Sequence, residues 1–287
     1  MQNIRTVGII SKPKIAQAPE IVTGLLAWLD KRGVRYRCDQ LTAEYAGISE
    51  FFDRAKMHEG IDLLIVLGGD GTLLSVARIF AATGTPILGV NLGSLGFLTE
   101  VRLADLYATL EGWCGGRHEV DARAMLHAEL WREGALSCSF EALNEVVVSK
   151  GDIARMGDFA VELDGKNVAR FRADGVIVST PTGSTAYTLA ANGPILTPNV
   201  DAMVVTPICP HLLTLRPIVV RGDARLAVRV EGIANQAALT VDGQKAVELL
   251  LGDEIRCRKS AHTVNLVRMS EGGFFEALRS KLSWGER

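Results

Sequence analysis

Apolar positions in the first third of the chain follow two alternating rhythms. Thr6–Ile10 (TVGII), Val34–Cys38 (VRYRC), Asp62–Leu67 (DLLIVL) and Pro86–Val90 (PILGV) are short, β-rich runs. Between them, Ile21, Leu25, Leu26 and Leu29 recur at helical spacing within Glu20–Lys31. Leu73, Val76, Ala77 and Phe80 do the same in a stretch reaching Ala82, for which Thr72 is the expected N-cap. Leu103–Trp113 reads as a further helix, stopped by Gly115 and Gly116. The run 62–67 is apolar after its first residue and closes on Gly68-Gly69, the mark of a strand buried on both faces. Strands and helices in alternation predict a parallel, doubly wound sheet.

After about residue 120 the rhythm changes. Met125–Trp131, Phe140–Val148, Phe159–Leu163 and Val168–Phe171 are short β-rich runs, several of them alternating. Asp164-Gly165 and Asp242-Gly243 are hairpin signals, the second between Ala238–Val241 and Ala246–Leu251. Leu226, Val228 and Val230 alternate with Arg225, Ala227 and Arg229, as in a sheet with one wet face. Few helical patterns intervene before Glu271–Trp284, so this part is expected to be an all-β sandwich or barrel followed by a terminal helix.

Length and charge narrow the picture. A chain of 287 residues has room for about two domains, and 48 % apolar residues supply a core. The net charge of −2 gives no global positive field for nucleic acid or an anionic membrane. The five cysteines are scattered singly, which fits a reducing cytoplasm better than a disulfide framework. MQNIRTVGIISK lacks the apolar core of a signal peptide, and no stretch is apolar for the roughly 18 residues of a membrane span.

The sharpest local signal is LLIVLGGDGT, Leu63–Thr72. A strand, a glycine turn and a helix start together suit phosphate, because glycines admit close approach and free N–H groups favour negative charge. Gly68, Gly69, Gly71 and Thr72 are the expected phosphate contacts. No Lys-Ser or Lys-Thr follows, so this is not a Walker loop. Asp70 either caps the helix or serves as a base. In the second case its carboxylate faces an attacking hydroxyl, and Mg²⁺ or another divalent ion screens the donor phosphates.

Other constellations carry two readings each. Asn144 and Glu145 interrupt ALNEVVV and suit ribose hydroxyls, or form a strand-end polar pair on a wet face. In ADGVIVSTPTGSTAYTLAANGP (Ala173–Pro194), a buried strand enters a run of small hydroxyl residues and glycine before a helix expected over Ala186–Asn192. Tyr187 there offers a ring for a base, against the plainer reading of an ordinary turn. Arg155, Arg172 and Asp174 suit a pyrophosphate or a hydroxyl, or make surface salt bridges. Gln244 ends a hairpin turn. The histidines have no metal-ligand spacing.

LGGDGT, ALNEVVV, ADGVIVSTPTGSTAY, ANGPIL, TPICPH, RPIVV and VDGQ, in this order, resemble the bacterial NAD kinases over nearly the whole chain. GGDGT alone is shared with lipid kinases, whereas STPTGSTAY is far more specific. The resemblance implies an α/β plus all-β fold. A Rossmann-like domain would span 1–120 and a β-sandwich NAD-binding domain 121–270. A C-terminal helix, 271–287, would pack back on the first domain, and the ligand site would lie between the two domains. It implies ATP- and Mg²⁺-dependent phosphorylation of the 2′-hydroxyl of the adenosine ribose of NAD, giving NADP, in a cytoplasmic homodimer or homotetramer. Asp70 then matches the proton acceptor, and Asp70 and Gly71 lie at the ligand. Asn144, Glu145, Arg155, Arg172, Asp174, Thr185, Ala186, Tyr187, Thr188, Leu189, Ala190 and Gln244 match NAD-contacting positions. Ala173, Ala191-Asn192-Gly193 and Leu212-Leu213 depart from the family pattern. Two other readings stand beside this one: a GGDGT-type lipid kinase, which needs an apolar groove, and a non-catalytic dinucleotide sensor, in which Asp70 is dispensable.

Overall fold

The computed structural model describes residues 5–93, 95–117, 119–151, 156–232, 237–268 and 273–285. The chain divides into two compact units, one formed by Met1–Ala122 with Val264–Arg287 and the other by Arg123–Thr263.

The first unit is α/β. Its elements are β1 (Thr6–Ser11), α1 (Ala18–Asp30), β2 (Arg35–Cys38), α2 (Gln40–Ala46), β3 (Leu63–Gly68), α3 (Asp70–Ala81), β4 (Ile87–Asn91), β5 (Val101–Arg102) and α4 (Leu106–Cys114). The strands run parallel in the order β2, β1, β3, β4, with β5 added beside β4. Every residue of β1, β3 and β4 is buried, as a parallel sheet covered by helices requires. Each of Leu63, Leu64, Ile65, Val66 and Leu67 is at most 1 % exposed, worth about 1.5–3 kcal/mol apiece relative to exposure. Helix α1 starts beside Pro19 and buries Val22, Leu25, Leu26 and Leu29; of the face expected from spacing, Ile21 is only half-buried and Val22 points inward instead. The Leu103–Trp113 pattern resolves into a 3-10 turn, Leu103–Asp105, followed by α4. Helix α2 carries no repeating apolar stripe long enough to announce it. It is held by its ends: Asp39 Oδ1 accepts from the Thr42 N–H at 3.0 Å, and Gly47 closes it at φ 68°.

The second unit is built from β6 (Glu119–Arg132), β7 (Ala135–Ala142), β8 (Glu145–Lys150), β9 (Gly157–Leu163), β10 (Lys166–Ala173) and β11 (Gly175–Ser179). These are followed by α5 (Tyr187–Ala190), β12 (Ala202–Ile208), β13 (Ile218–Arg221), β14 (Leu226–Gly232), β15 (Ala237–Val241), β16 (Lys245–Leu249) and β17 (Glu254–Arg268). One antiparallel sheet has the order β13, β12, β11, β8, β15, β16. The other runs β10, β9, β14, β17, with β6 beside β17 and β7 beside β6. Val146, Val148, Val176, Val178 and Met203 from the first pack with Phe159, Val161, Leu226, Val228 and Ile255 from the second in one core, which makes the unit a β-sandwich. Both predicted hairpins have left-handed turn residues: Asp164 and Gly165 at φ 50° and 76°, Asp242 and Gly243 at φ 50° and 63°.

Strands β6 and β17 begin in one unit and end in the other. The last residues of β17 return to the α/β sheet, where Leu266 pairs in parallel with Ile87. Helix α6 (Gly273–Leu282) follows and belongs to the same unit, burying Phe274, Ala277 and Leu278. The expected single run Phe140–Val148 is two strands in different sheets, because the chain breaks at Leu143-Asn144. The strand expected to reach Leu251 stops at Leu249, and the next residues turn toward Asp253, whose Oδ2 accepts from the Leu250 N–H at 2.8 Å.

Candidate functional site

In the α/β unit, the GGDGT turn joins the buried end of β3 to α3. The N-cap is Gly69 in extended backbone, Asp70 is the first helical residue and, among the described residues, no side chain caps the helix. Thr72, expected to be the cap, therefore sits one turn inside. Its N–H donates to the Gly69 carbonyl at 2.9 Å, and its hydroxyl lies 2.5 Å from where a Cβ on Gly68 would fall. Only glycine at 68 leaves room for that contact. Side-chain positions at Gly69 and Gly71 would point into open space, so the backbone of the turn is accessible to a ligand.

Asp70 does not cap its own helix either. Its Oδ1 accepts from the Leu98 N–H at 3.1 Å, the Thr99 N–H at 3.0 Å and the Thr99 hydroxyl at 2.9 Å. Among the described residues its Oδ2 accepts only from the Phe97 N–H, at 2.8 Å. A carboxylate oxygen carries two lone pairs, so Oδ1 is saturated and Oδ2 keeps one in-plane lobe. Any side chain at Gly96 would collide with Oδ1. Thr99 is further fixed by the Asn91 side-chain amide, which donates to its hydroxyl at 2.9 Å. The segment Phe97–Thr99 is a part of the site that sequence reasoning missed. Its only early signal is the pair Gly93 and Gly96 following a buried strand.

In the sandwich unit, Asn144 and Glu145 open β8 at the chain break. The wet-face alternative fails for Glu145, which is 6 % exposed. Burial, and secondarily the nearby Asp242 carboxylate, push its carboxyl up to about 8, against a lowering contribution from the Tyr187 N–H that hydrogen-bonds it. One of its oxygens, Oε2, is buried with no hydrogen-bond partner among the described residues, and so is the Thr188 hydroxyl. Buried polar atoms of this kind are normally satisfied, so both are places for a ligand's polar groups.

The segment bearing these residues is clamped from behind. Asp242 Oδ1 accepts from the Asn144 and Glu145 N–H groups at 2.8 and 3.1 Å, and Oδ2 from Leu143 at 3.0 Å. The Thr180 hydroxyl donates to the Leu143 carbonyl at 2.6 Å and accepts from the Gly183 N–H at 3.0 Å. A Cβ on Gly183 would overlap the Asn144 carbonyl, so TPTGST and NE are packed backbone to backbone. Asp242 looks from sequence like the first residue of a tight turn. Its side chain reaches a partner far away along the chain, and no local pattern announces that.

The remaining expected residues are placed as follows. Thr185 and Ala186 are half-buried at the end of a 3-10 turn, Thr182–Thr185. The helix expected over Ala186–Asn192 is only α5, so Tyr187, Thr188, Leu189 and Ala190 form a single turn, with Thr188 buried and Tyr187 exposed. Arg172 is an exposed residue of β10 beside Asp158, at 3.4 Å, and Asp174 pairs with Lys150 at 2.7 Å. Gln244 is exposed, its N–H donating to the Val241 carbonyl. Arg155 lies outside the described residues. Among the described residues no group of three His, Cys, Asp or Glu side chains can hold a metal ion.

Comparison with known proteins bears on both units at once. The family model for the ATP-NAD kinase N-terminal domain matches residues 7–117, and that for the ATP-NAD kinase C-terminal domain matches residues 143–269. The chain belongs to the NAD kinase family. Curated relatives agree over the full length: the NAD kinase of Acidobacterium capsulatum is 60 % identical, covering 99 % of this chain and 100 % of its own. The NAD kinase of Koribacter versatilis is 50 % identical with the same coverage. Among solved structures, yeast NADH kinase complexed with NADH has a TM-score of 0.93 at 27 % identity, covering 100 % of this chain and 90 % of that one. An NAD kinase from Archaeoglobus fulgidus in complex with ATP has a TM-score of 0.77 at 26 % identity, covering 96 % and 99 %. Within this NAD kinase, Asp70 with Gly68–Thr72, and Asn144-Glu145 with Thr185–Ala190, are the two assembled clusters. Arg172 and Gln244 lie at the surface.

Proposed function

We propose that this ATP-dependent NAD kinase uses Asp70 Oδ2 as the proton acceptor of the transfer. The 2′-oxygen of the adenosine ribose forms a bond to the γ-phosphorus as the bond from that phosphorus to the β,γ-bridging oxygen breaks. ADP leaves with the electron pair, and the hydroxyl proton passes to Oδ2. The observation that carries this is the asymmetry of Asp70: three donors fix Oδ1, while one donor on Oδ2 leaves a lone pair to receive a proton. Backbone N–H groups of Gly69–Gly71 receive the donor phosphates, which the open space at Gly69 and Gly71 supports, with the Thr72 side chain beside them. Glu145 Oε2 and the Thr188 hydroxyl pair with polar groups of the dinucleotide, as their buried and unmet hydrogen-bonding capacity suggests. Arg155, Arg172, Asp174 and Gln244 stay in the proposal as dinucleotide contacts on the family resemblance alone.

Among the described residues none near Asp70 form a protein-held cation site, so a divalent ion would enter with the triphosphate, as Mg²⁺ usually does. When bound, it would neutralise charge on the phosphate oxygens. A homodimer or homotetramer in the cytoplasm completes the proposal. Among the described residues no helix is long and apolar enough to cross a membrane, and all five cysteines are free thiols. The test is direct: purified protein with ATP, Mg²⁺ and NAD, read by an NADP-specific dehydrogenase. Asp70→Asn should cut kcat by about 10²-fold or more, a typical general-base contribution or larger. A variant with near-normal kcat would remove Asp70 from the role.

A further inference from the structure

Phosphoryl transfer needs positive charge at the β- and γ-phosphates, and a Walker loop supplies it with a lysine of its own turn. GGDGT has none. We propose that Lys12, at the end of the neighbouring strand β1, is the lysine that grips the donor's terminal phosphates; the assignment rests on the NAD kinase reading of the GGDGT turn.

Three observations converge on Lys12. First, its backbone is built into the turn. The Lys12 N–H donates to the Leu67 carbonyl at 2.8 Å, extending the β1–β3 ladder by one bond. A Cβ on Gly68 would lie 3.1 Å from the Lys12 Cβ, so the two residues are packed side by side. Second, Lys12 lines two cavities that flank the turn. One, of about 310 Å³, also has Gly69, Gly71, Thr72, Ser75 and Arg54 on its wall. The other, of about 280 Å³, has Gly69, Asp70, Asn91, Gly96 and Lys281. A triphosphate lying over the glycine turn, with its terminal group next to Asp70, passes along that shared wall. Third, the other cations are engaged elsewhere. Arg54 is bound through Nε and Nη2 to the buried Asp39 carboxylate. Lys281 lies over the Phe97 ring, 5.8 Å from its centre. Lys12 makes no ion pair among the described residues, and its flexible stem lets a point charge follow the moving phosphoryl group.

The experiment compares the wild type with Lys12→Met, Lys12→Arg and Lys14→Met. Lys14 is a neighbouring exposed lysine that lines neither cavity and controls for general surface charge. Lys12→Met should lower kcat/KM for ATP by about 10²-fold, the scale of losing one charge-stabilising donor. It should leave KM for NAD within about twofold, Lys12→Arg should recover part of the loss, and Lys14→Met should match the wild type. Binding of ADP should weaken in Lys12→Met while that of AMP does not, locating the contact at the distal phosphates. A kcat/KM for ATP within threefold of wild type, or a rise in KM for NAD as large as the loss in kcat/KM for ATP, would overturn the assignment. Calorimetric titration of ATP into wild type and Lys12→Met separates the two levels. A wild type that binds ATP without forming NADP defeats the kinase reading, while the difference in ATP affinity still decides the role of Lys12.

Discussion

Glu145→Gln is the sharpest test of the sandwich cluster. The wild-type carboxyl is held at about 8 instead of its ordinary 4.5, first by burial and then by Asp242. A folded-state value above the unfolded one means that the folded protein keeps a proton that the unfolded chain releases. The folded state is therefore unpenalised below about pH 4.5 and loses stability progressively up to about pH 8. Each pH unit in that window costs at most about 1.4 kcal/mol, so the total is on the order of 3–5 kcal/mol as an upper bound. Glutamine keeps the shape and stays neutral. The variant should match wild type near pH 5 and exceed it by a few kcal/mol at pH 8.5. Urea denaturation of the ligand-free proteins from pH 5 to 8.5 reads this directly. If dinucleotide hydroxyls donate to Oε2, binding favours the ionised carboxylate. NAD affinity should then rise with pH between 6 and 8 in the wild type, with proton release seen by calorimetry in buffers of different ionisation enthalpy, and stay flat in the variant. Parallel stability curves for the two proteins would refute the account of Glu145 as a buried, protonated group.

Three further substitutions probe the supports of the two clusters. Gly96→Ala drives a methyl into Asp70 Oδ1, so kcat should fall by at least tenfold and stability by about 1–3 kcal/mol, measured by turnover and thermal melting. Asp242→Ala strips the acceptor from three N–H groups at Leu143, Asn144 and Glu145; at about 1–3 kcal/mol for each unsatisfied buried donor, stability should drop by several kcal/mol in urea titration. Asp70→Asn keeps the fold but replaces one acceptor oxygen with a donor amide facing an N–H, so a loss of about 1–3 kcal/mol should accompany its collapse in turnover. Measuring kcat well below the melting temperature separates the two effects.

The fold was legible where a local pattern carries the physics. A continuous apolar run ending in two glycines identifies β3 and its turn, because only a strand covered on both faces tolerates it. Alternation in Leu226–Val230 gives β14 for the converse reason. Patterns fail where distant partners decide. ALNEVVV reads as one strand, yet Asp242 takes the N–H groups of Leu143–Glu145 and bends the chain between two sheets. Helix α2 is set by Asp39, which also binds Arg54, so its existence depends on a contact outside its own sequence. At the candidate site, the residue types were readable and the geometry was not. Asp70 as a carboxylate at a glycine turn follows from the sequence, while the donors that leave one lone pair free come from Phe97–Thr99.

The passage of β17 back into the α/β sheet fixes an order of events on the ribosome. The sandwich unit is one uninterrupted stretch of chain, whereas the α/β unit needs residues from both ends of the polypeptide. The edge of β4 at Ile87 waits for Leu266 until the entire sandwich has been synthesised, a delay on the order of ten seconds at cellular elongation rates. During that interval the β4 edge is covered by β5 at Val90 and Asn91 but bare and apolar at Ile87, the kind of template on which chains aggregate. A protein truncated before Val264 never covers it, so the C-terminal tail acts as the closing seam of a unit whose first strand left the ribosome long before.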